Sequence, residues 1–160
     1  MHYFIILKRY LLSILIMLTI FLLDQYSKIK VIDYLLENNK IFINEYLNFN
    51  LTWNTGIGFG LLSFSSGLIY NLISFLIFLV LCYLTYLLII SKKIDQIFYS
   101  MIIGGAVGNL YDRITKFAVP DFIDFHYKDF HWFTFNIADI FICIGIFMVI
   151  IRELLKKNET

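Results

Sequence analysis

Two aspartates, Asp121 and Asp139, are the residues of this chain best suited to chemistry. Asp121 follows the only proline, and Asp139 stands where an apolar helix has to begin. Two carboxylates held close together cannot both ionise cheaply, so one keeps a proton while the other acts as a base. The base can take a proton from water, and the acid can stabilise an oxyanion or protonate a leaving amine. The pair therefore predicts acid–base hydrolysis.

The spacing of the acids leaves the partner of Asp139 open. Asp124 and Asp129 lie in the same segment as Asp121 and are rival partners. Two aspartates 18 residues apart can also be two unconnected acids at a membrane interface. Asn136 lies one helical turn before Asp139 and is placed to hold it.

Two polar segments lie earlier in the chain. Asp24 and Lys28 are spaced i, i+4 with the acid first, which is the favourable order for a helical pair. An interfacial ion pair of this kind nevertheless contributes little to stability. Asn54 is the first residue of the segment NTGIGFG, which includes Gly56. Its glycines could let an extended ligand approach the backbone, or the segment could be an ordinary glycine-rich turn.

The segment GGAVGNLYDR, residues 104–113, gives a stronger signal. Gly104 and Gly108 form a small-xxx-small pair that lets two helices approach closely. Asn109, Asp112 and Arg113 then share one helical face at i, i+3 and i+4. This arrangement predicts either the wall of a site or a helix contact that ends in an Asp–Arg pair.

The composition indicates an integral membrane protein. Of the 160 residues, 60% are hydrophobic and 16% are charged, whereas soluble domains carry about a quarter charged residues. A net charge of +1 gives no reason to expect a nucleic-acid partner. Cys82 and Cys143 lie in apolar runs and are interpreted as core residues. His126 and His131 are interpreted as loop residues, and the sequence shows no set of metal ligands.

We predict a single domain over residues 1–160, with four membrane-spanning helices. Their approximate bounds are 4–24, 67–90, 96–114 and 133–151. The span 67–90 is the clearest, with 24 residues and no charge. The last uncharged run, 140–151, has only 12 residues, so this span must extend back to residue 133 and take Asp139 into or against the membrane. A carboxylate there costs up to roughly 2.5–3.5 kcal/mol and is a functional candidate for that reason.

The connection between the first two spans predicts a small extracytoplasmic β-sheet at about residues 41–62, where apolar and polar residues alternate. Lysines and arginines are concentrated in the two ends of the chain and in the short loop at residues 91–95. Their density predicts that both termini are cytoplasmic. The first apolar run is expected to be a retained span rather than a cleaved signal peptide, because the residues DQYSK that follow it do not form a cleavage site.

Together these segments resemble the lipoprotein signal peptidase (signal peptidase II) family, aspartyl proteases of the bacterial inner membrane. The segments that carry the resemblance, in the order of the family, are DQYSK at 24–28, NTGIGFG at 54–60, GGAVGNLYDR at 104–113, VPDFIDF at 119–125 and FNIAD at 135–139. They extend over most of the chain, and the last three are specific in combination.

The resemblance implies that Asp121 and Asp139 are catalytic, and it favours Asp121 over Asp124. It implies that the substrate-binding or supporting residues are Asn54, Gly56, Asn109, Arg113 and Asn136. The polar or small residues implied to be mainly structural are Asp24, Lys28, Gly105, Gly108 and Asp112.

The resemblance also implies the reaction. The expected substrates are prolipoproteins that carry a diacylglyceryl group on the cysteine that becomes the mature N-terminus, and the cut falls just before that cysteine. The expected partners are therefore these signal peptides, membrane lipids and inhibitors of the globomycin type, and no cofactor or metal is expected. The site should lie near the outer leaflet of the bacterial cytoplasmic membrane. The alternative is a small four-span subunit that relays protons or ions, because intramembrane acids also build such relays.

Overall fold

In a computed structural model, the described residues are 2–38, 40–56 and 67–157, with side chains described from residue 10 onward except at residue 36. They form four helices: α1 (His2–Glu37), α2 (Gly67–Ile90), α3 (Lys93–Lys116) and α4 (Ile137–Lys157). They also form four strands: β1 (Ile41–Asn44), β2 (Leu47–Asn54), β3 (Val119–Tyr127) and β4 (Phe130–Phe135). The fold is therefore mostly helical, with one small sheet.

Two stretches of the described residues are long and apolar enough to cross a membrane, Tyr10–Leu35 and Gly67–Ile90. α2 has no charged residue and is mostly exposed along its length, with Tyr70, Leu81 and Leu88 buried. A helix that is apolar on all sides and exposed needs an apolar surrounding, which is what a bilayer provides. The bounds of α2 agree with the predicted span at 67–90.

α3 is the central helix, because it packs against α1, α2 and α4. Its glycines make this close approach possible. A Cβ atom on Gly104 would lie 3.0 Å from the Met17 backbone of α1, and one on Gly105 would lie 2.6 Å from the Ala138 carbonyl oxygen of α4. The close helix approach predicted for Gly104 and Gly108 is confirmed, since a Cβ atom on Gly108 would lie 2.7 Å from Asp24 Oδ2.

The sheet is antiparallel, with the strand order β1-β2-β3-β4. The prediction confined it to residues 41–62, and this was incomplete, because half of the sheet comes from residues 119–135, which connect α3 to α4. β2 and β3 pair across the molecule, with Thr52 opposite Asp121 and Asn54 opposite Val119. Residues 57–62 of the predicted sheet segment lie outside the described residues, and residues 55 and 56 are not strand.

The bounds of three predicted helices differ from the structure. α1 continues to Glu37 rather than ending at residue 24, and Lys28 in its later turns pairs with Asp112 of α3. α3 extends over Lys93–Lys116 instead of 96–114. α4 begins at Ile137 rather than residue 133, since residues 130–135 are strand β4. It continues to Lys157, because Arg152 and Lys156 pair with Asp95 at the start of α3.

Candidate active site

Asp121 lies on β3 and is almost completely buried, with 2% of its surface exposed. Each of its carboxylate oxygens accepts a hydrogen bond from an amide side chain. Asn54 Nδ2, at the end of β2, donates to Oδ2 at 2.8 Å, and Asn136 Nδ2, just before α4, donates to Oδ1 at 2.6 Å. The strand pairing therefore positions Asp121 between the second strand and the start of the last helix.

Asp139 lies in the first turn of α4 and is held by a reciprocal cap. The Asn136 backbone N–H donates to Asp139 Oδ2, and the Asp139 backbone N–H donates to Asn136 Oδ1, both at 3.1 Å. This is the exchange made by a capping box, with an amide and a carboxylate as the two members. Asn109 Nδ2 of α3 donates to the other carboxylate oxygen, Oδ1, at 2.8 Å.

Asn136 therefore contacts both acids, and both acids line the same cavity of about 280 Å³. The other residues that line the cavity are Asn54, Ile77, Ala106, Asn109, Arg113, Val119, Ile142 and Cys143. The cavity thus has a polar end, which contains the two carboxylates, and an apolar wall from α2, α3 and α4. It is large enough for several water molecules or a short length of peptide.

Burial and the charge of the neighbouring Asp139 raise the pKa of Asp121 to about 7. The hydrogen bonds from Asn54 and Asn136 favour the charged form and oppose this increase, but they do not cancel it. A carboxyl group with such a pKa is protonated in a large fraction of molecules at neutral pH. It can therefore donate a proton or a hydrogen bond where an ordinary aspartate can only accept one.

A fully buried lysine supports Asp139 through Asn109. Lys28 Nζ donates to Asn109 Oδ1 at 2.9 Å, to Asp24 Oδ2 at 2.6 Å and to Asp112 Oδ2 at 2.7 Å. The predicted Asp24–Lys28 pair is present, and it is a buried ion pair rather than an exposed interfacial one. Because Lys28 polarises the amide that donates to Asp139, its charge is transmitted towards the cavity.

Asp24 connects α1 to the first turn of α4, because its Oδ1 accepts a hydrogen bond from the Ala138 backbone N–H at 2.9 Å. The sequence reasoning missed two members of this network. Gln25 Nε2 donates to Asp24 Oδ2 at 3.1 Å and to Asp112 Oδ2 at 3.2 Å. Lys116 Nζ donates to Asp112 Oδ1 at 2.7 Å, and its i, i+4 spacing from Asp112 was a signal that could have identified it.

Arg113 connects α3 to the segment that follows β2. Its Nη2 donates to the Gly56 carbonyl oxygen, and the Gly56 backbone N–H donates to Asn54 Oδ1 at 2.9 Å. Tyr70 of α2, which the sequence reasoning missed, places its ring 5.4 Å from the Arg113 guanidinium carbon and donates its hydroxyl to the Arg113 carbonyl oxygen at 3.1 Å. These contacts hold Asn54 and Arg113, which both line the cavity, to the backbone of Gly56.

The rival acids lie elsewhere. Asp124 is buried, and its carboxylate accepts from His131 Nδ1 at 2.8 Å. Asp129 is exposed in the turn between β3 and β4. Neither residue lines the cavity, so Asp121 is the acid that the fold brings to Asp139. The interpretation of His126 and His131 as loop residues was wrong, since they belong to β3 and β4.

The fold and the cavity define a class of protein, a mostly helical protein with helices apolar enough to cross a membrane and with two acids in one cavity. The structure is similar to a solved bacterial membrane enzyme determined by the in meso method at 2.3 Å, with a TM-score of 0.74 and 30% identity over 92% of this chain and 90% of that one. A second bacterial membrane enzyme, determined at 1.9 Å, gives a TM-score of 0.70 and 29% identity over 89% of this chain and 92% of that one.

The family model described as signal peptidase (SPase) II matches residues 16–155. A lipoprotein signal peptidase of Pelagibacter ubique is 43% identical over 96% of this chain and 93% of the relative. One from Coxiella burnetii is 40% identical over 88% of each chain, and one from Rickettsia felis is 44% identical over 84% of this chain and 70% of the relative. This chain belongs to the signal peptidase II family. The alternative interpretation as an ion-relay subunit receives no support from these matches.

Proposed function

We propose that this chain is an aspartic endopeptidase that removes the signal peptide from diacylglyceryl-modified prolipoproteins by cutting just before the lipidated cysteine. The observation that carries the proposal is the meeting of Asp121 and Asp139 in one cavity, with Asn136 hydrogen-bonded to both. The family and the names of the relatives support the substrate class. The geometry supports the catalytic type.

The two acids have different surroundings, which favours different roles. Asp139 lies at a helix N-terminus, where the backbone dipoles stabilise a negative charge. It also accepts from Asn109, which is polarised by Lys28. Asp121 lies on a strand and has a pKa raised to about 7 by burial and by the Asp139 charge. In the resting enzyme Asp139 is therefore the ionised member, and Asp121 holds the shared proton.

The reaction follows from this assignment. Asp139 takes a proton from a water molecule in the cavity, and the water attacks the scissile carbonyl carbon. Asp121 donates its proton to the carbonyl oxygen and stabilises the tetrahedral intermediate. Proton transfer from Asp139 to the leaving amine then breaks the C–N bond. As the new carboxyl group forms, a hydroxyl of the tetrahedral intermediate gives its proton to Asp121, which restores the pair. The two acids supply every proton transfer in this sequence.

Arg113 and Asn54 are suited to position the peptide. Arg113 lines the cavity, and its Nη1 is buried without a hydrogen-bond partner among the residues that the structure describes. A buried guanidinium donor without a partner is costly, so a peptide carbonyl that entered the cavity would gain a strong hydrogen bond there. The apolar wall, which includes Ile77 and Ile142, would accept apolar side chains of the signal peptide.

Cleavage can be tested with purified protein in detergent and a diacylglyceryl-modified prolipoprotein. Asp121→Asn and Asp139→Asn should each lower the rate at least about a hundredfold, because general acid–base groups contribute about 10²–10⁴. Asp129→Asn, which changes an exposed acid of the same segment, should cleave like the parent protein. Globomycin should inhibit the parent protein.

Thermal unfolding of each variant in detergent checks that a loss of activity is not a loss of structure. Normal cleavage by a folded Asp121→Asn or Asp139→Asn protein would remove that residue from the catalytic role. An equal loss in Asp129→Asn would show that the assay does not report on the cavity.

The proposal includes four spans in the bacterial cytoplasmic membrane, with the cavity near the outer leaflet and both termini inside. At ~1.5 Å per residue, α3 and α4 are about 36 and 31 Å long, enough for a hydrocarbon core of ~30 Å. With Cys82 and Cys143 replaced by alanine, a membrane-impermeant maleimide added to spheroplasts should label Asp129→Cys and spare Ser91→Cys. Labelling of Ser91→Cys and not of Asp129→Cys would show that the orientation in the membrane is the opposite of the one proposed.

A further inference from the structure

Asp124, His126 and His131 form a second polar cluster, which has no part in the reaction described above. Asp124 and His126 are two residues apart on β3, so their side chains point to the same face of the sheet. His131 lies on the neighbouring strand β4. One possible ligand atom from each of the three residues lies within 4.8 Å of the other two.

A β-bulge brings His131 to this position. Phe125 pairs with Phe133, so a regular ladder would place Trp132 opposite His126. Instead His126 pairs with His131, because Trp132 is an extra residue in β4. The two imidazole rings lie nearly parallel, with their centroids 5.2 Å apart. Bulges redirect side chains and are over-represented at sheet edges and next to active sites.

The carboxylate of Asp124 has more hydrogen-bond acceptor sites than the His131 imidazole can fill. It is 1% exposed, and both of its oxygens lie 2.8 Å from His131 Nδ1. A neutral imidazole has one N–H to donate, whereas a carboxylate has about four acceptor sites. A cation bound by the carboxylate and the two rings would compensate the buried negative charge of Asp124 better than a single N–H donor does. The His131 side chain is 48% exposed, which leaves a path for an ion from solvent.

Asn48 orients the second imidazole. Its side chain is fully buried and lies 3.0 Å from His126 Nε2 and 3.2 Å from Nδ1. With the amide oxygen turned towards the ring, that oxygen accepts the ring N–H and also accepts from Lys40 Nζ at 2.8 Å. The ring N–H of a metal-binding histidine is typically held by an oxygen acceptor of this kind. The Lys40 ammonium therefore pairs with Asn48 and not with the Asp124 carboxylate.

We propose that Asp124, His126 and His131 form a binding site for a divalent transition-metal ion, with Zn²⁺ the best fit. Two imidazoles and one carboxylate are a ligand set for zinc, whereas Mg²⁺ and Ca²⁺ take oxygen ligands. Three protein ligands leave one coordination position for water. None of the three residues lines the cavity that holds Asp121, so the ion would join β3 to β4 rather than enter the reaction.

The test uses the full chain with an affinity tag that contains no histidine, stripped of metal with EDTA, dialysed and titrated with Zn²⁺. The parent protein should bind about one Zn²⁺ per chain, and its unfolding midpoint should rise with added Zn²⁺. His131→Ala should weaken Zn²⁺ binding at least about tenfold, since loss of even a supporting residue costs about 10–100-fold in affinity. His2→Ala changes the third histidine of the chain and should bind like the parent protein.

X-ray absorption of the Zn²⁺-loaded parent protein gives a measurement that does not depend on the folding of a variant. Two imidazole ligands with oxygen ligands are expected. A spectrum without imidazole ligands, or equal Zn²⁺ affinity in the parent protein and folded His131→Ala, would overturn the proposal and leave the cluster as a carboxylate–histidine pair. Added EDTA should lower the unfolding midpoint of the Zn²⁺-loaded parent protein and leave its cleavage activity intact below that temperature. If EDTA abolished cleavage by folded protein, the ion would take part in the reaction, and its assignment to a purely structural place in the sheet would be overturned.

Discussion

Replacement of Lys28 by methionine tests whether buried charges hold the site together. Lys28 is fully buried and donates to Asp24 and Asp112, so Lys28→Met leaves two buried carboxylates without the cation between them. Lys30, two residues later on the same helix, is exposed and is the matched control. The two substitutions remove the same group from the same helix and differ in burial.

The size of the effect follows from the remaining contacts. Breaking a buried ion pair by removing one partner costs about 3–5 kcal/mol, whereas an exposed charge contributes about 0–1 kcal/mol. Asp112 keeps Lys116 at 2.7 Å, and Asp24 keeps the Ala138 N–H at 2.9 Å. We therefore expect a loss near the lower end, about 3 kcal/mol or about a hundredfold in the unfolding equilibrium. Lys30→Met should change stability by less than about 1 kcal/mol.

Unfolding in mixed detergent micelles measures both variants against the parent protein. Adding Asp24→Asn to Lys28→Met removes one of the two unbalanced charges, so the double variant should recover part of the loss, with a coupling of about 0.5–3 kcal/mol. The rate of cleavage by the folded fraction should also fall in Lys28→Met, since Asn109 loses the group that polarises it. Equal stability of Lys28→Met and Lys30→Met would refute the reasoning.

Two further predictions concern the pH response and the helix contact. The pKa of Asp121 is raised from 3.8 to about 7, so its contribution to stability is complete below pH 3.8 and is lost as the pH rises through about 7. Asp121→Asn should flatten the pH dependence of the unfolding midpoint in this window. Cleavage by the parent protein should decline above pH ~7, because Asp121 then loses the proton it donates. A cleavage rate that does not change up to about pH 9 would contradict the proposed role of Asp121 as the acid. A Cβ atom on Gly105 would lie 2.6 Å from the Ala138 carbonyl oxygen, so Gly105→Ala should cost about 1–3 kcal/mol in unfolding and lower kcat by displacing Asp139. At Gly67 no atom of the residues that the structure describes lies within 4 Å of an added Cβ atom, so Gly67→Ala should do neither. Equal effects of the two substitutions would contradict this packing argument.

The sequence was sufficient where a local pattern decides the structure. α2 was predicted with its observed bounds because 24 uncharged residues end at a serine followed by two lysines. The close approach of α3 to its neighbours was predicted from Gly104 and Gly108, because glycine spacing sets how near two backbones can come. The meeting of Asp121 and Asp139 could be proposed from the chemistry of paired acids, and the family resemblance chose between Asp121 and Asp124.

The sequence was insufficient where distant partners decide the structure. β3 and β4 were missed because an aromatic run before an apolar helix can belong to a span or to a sheet, and periodicity alone does not distinguish them. The pairing of β2 with β3, such as Asn54 with Val119, joins segments far apart in the chain. The prediction ended the first span at residue 24 and placed the later turns of α1 in the connection to the second span. The charges of those turns are compatible with a helix once Lys28 meets Asp112 of α3.

The different roles proposed for the two acids follow from the elements that carry them. Asp139 belongs to the first turn of a helix, so the orientation of α4 favours its charge before any other side chain contributes. Asp121 belongs to a strand that offers no such dipole, and it is nearly fully buried. Asn136 donates one N–H to each acid, so it fixes their separation without favouring either as the base. In the proposed reaction, the asymmetry between the two acids therefore comes from the helix and from Lys28 through Asn109, at positions outside the pair itself.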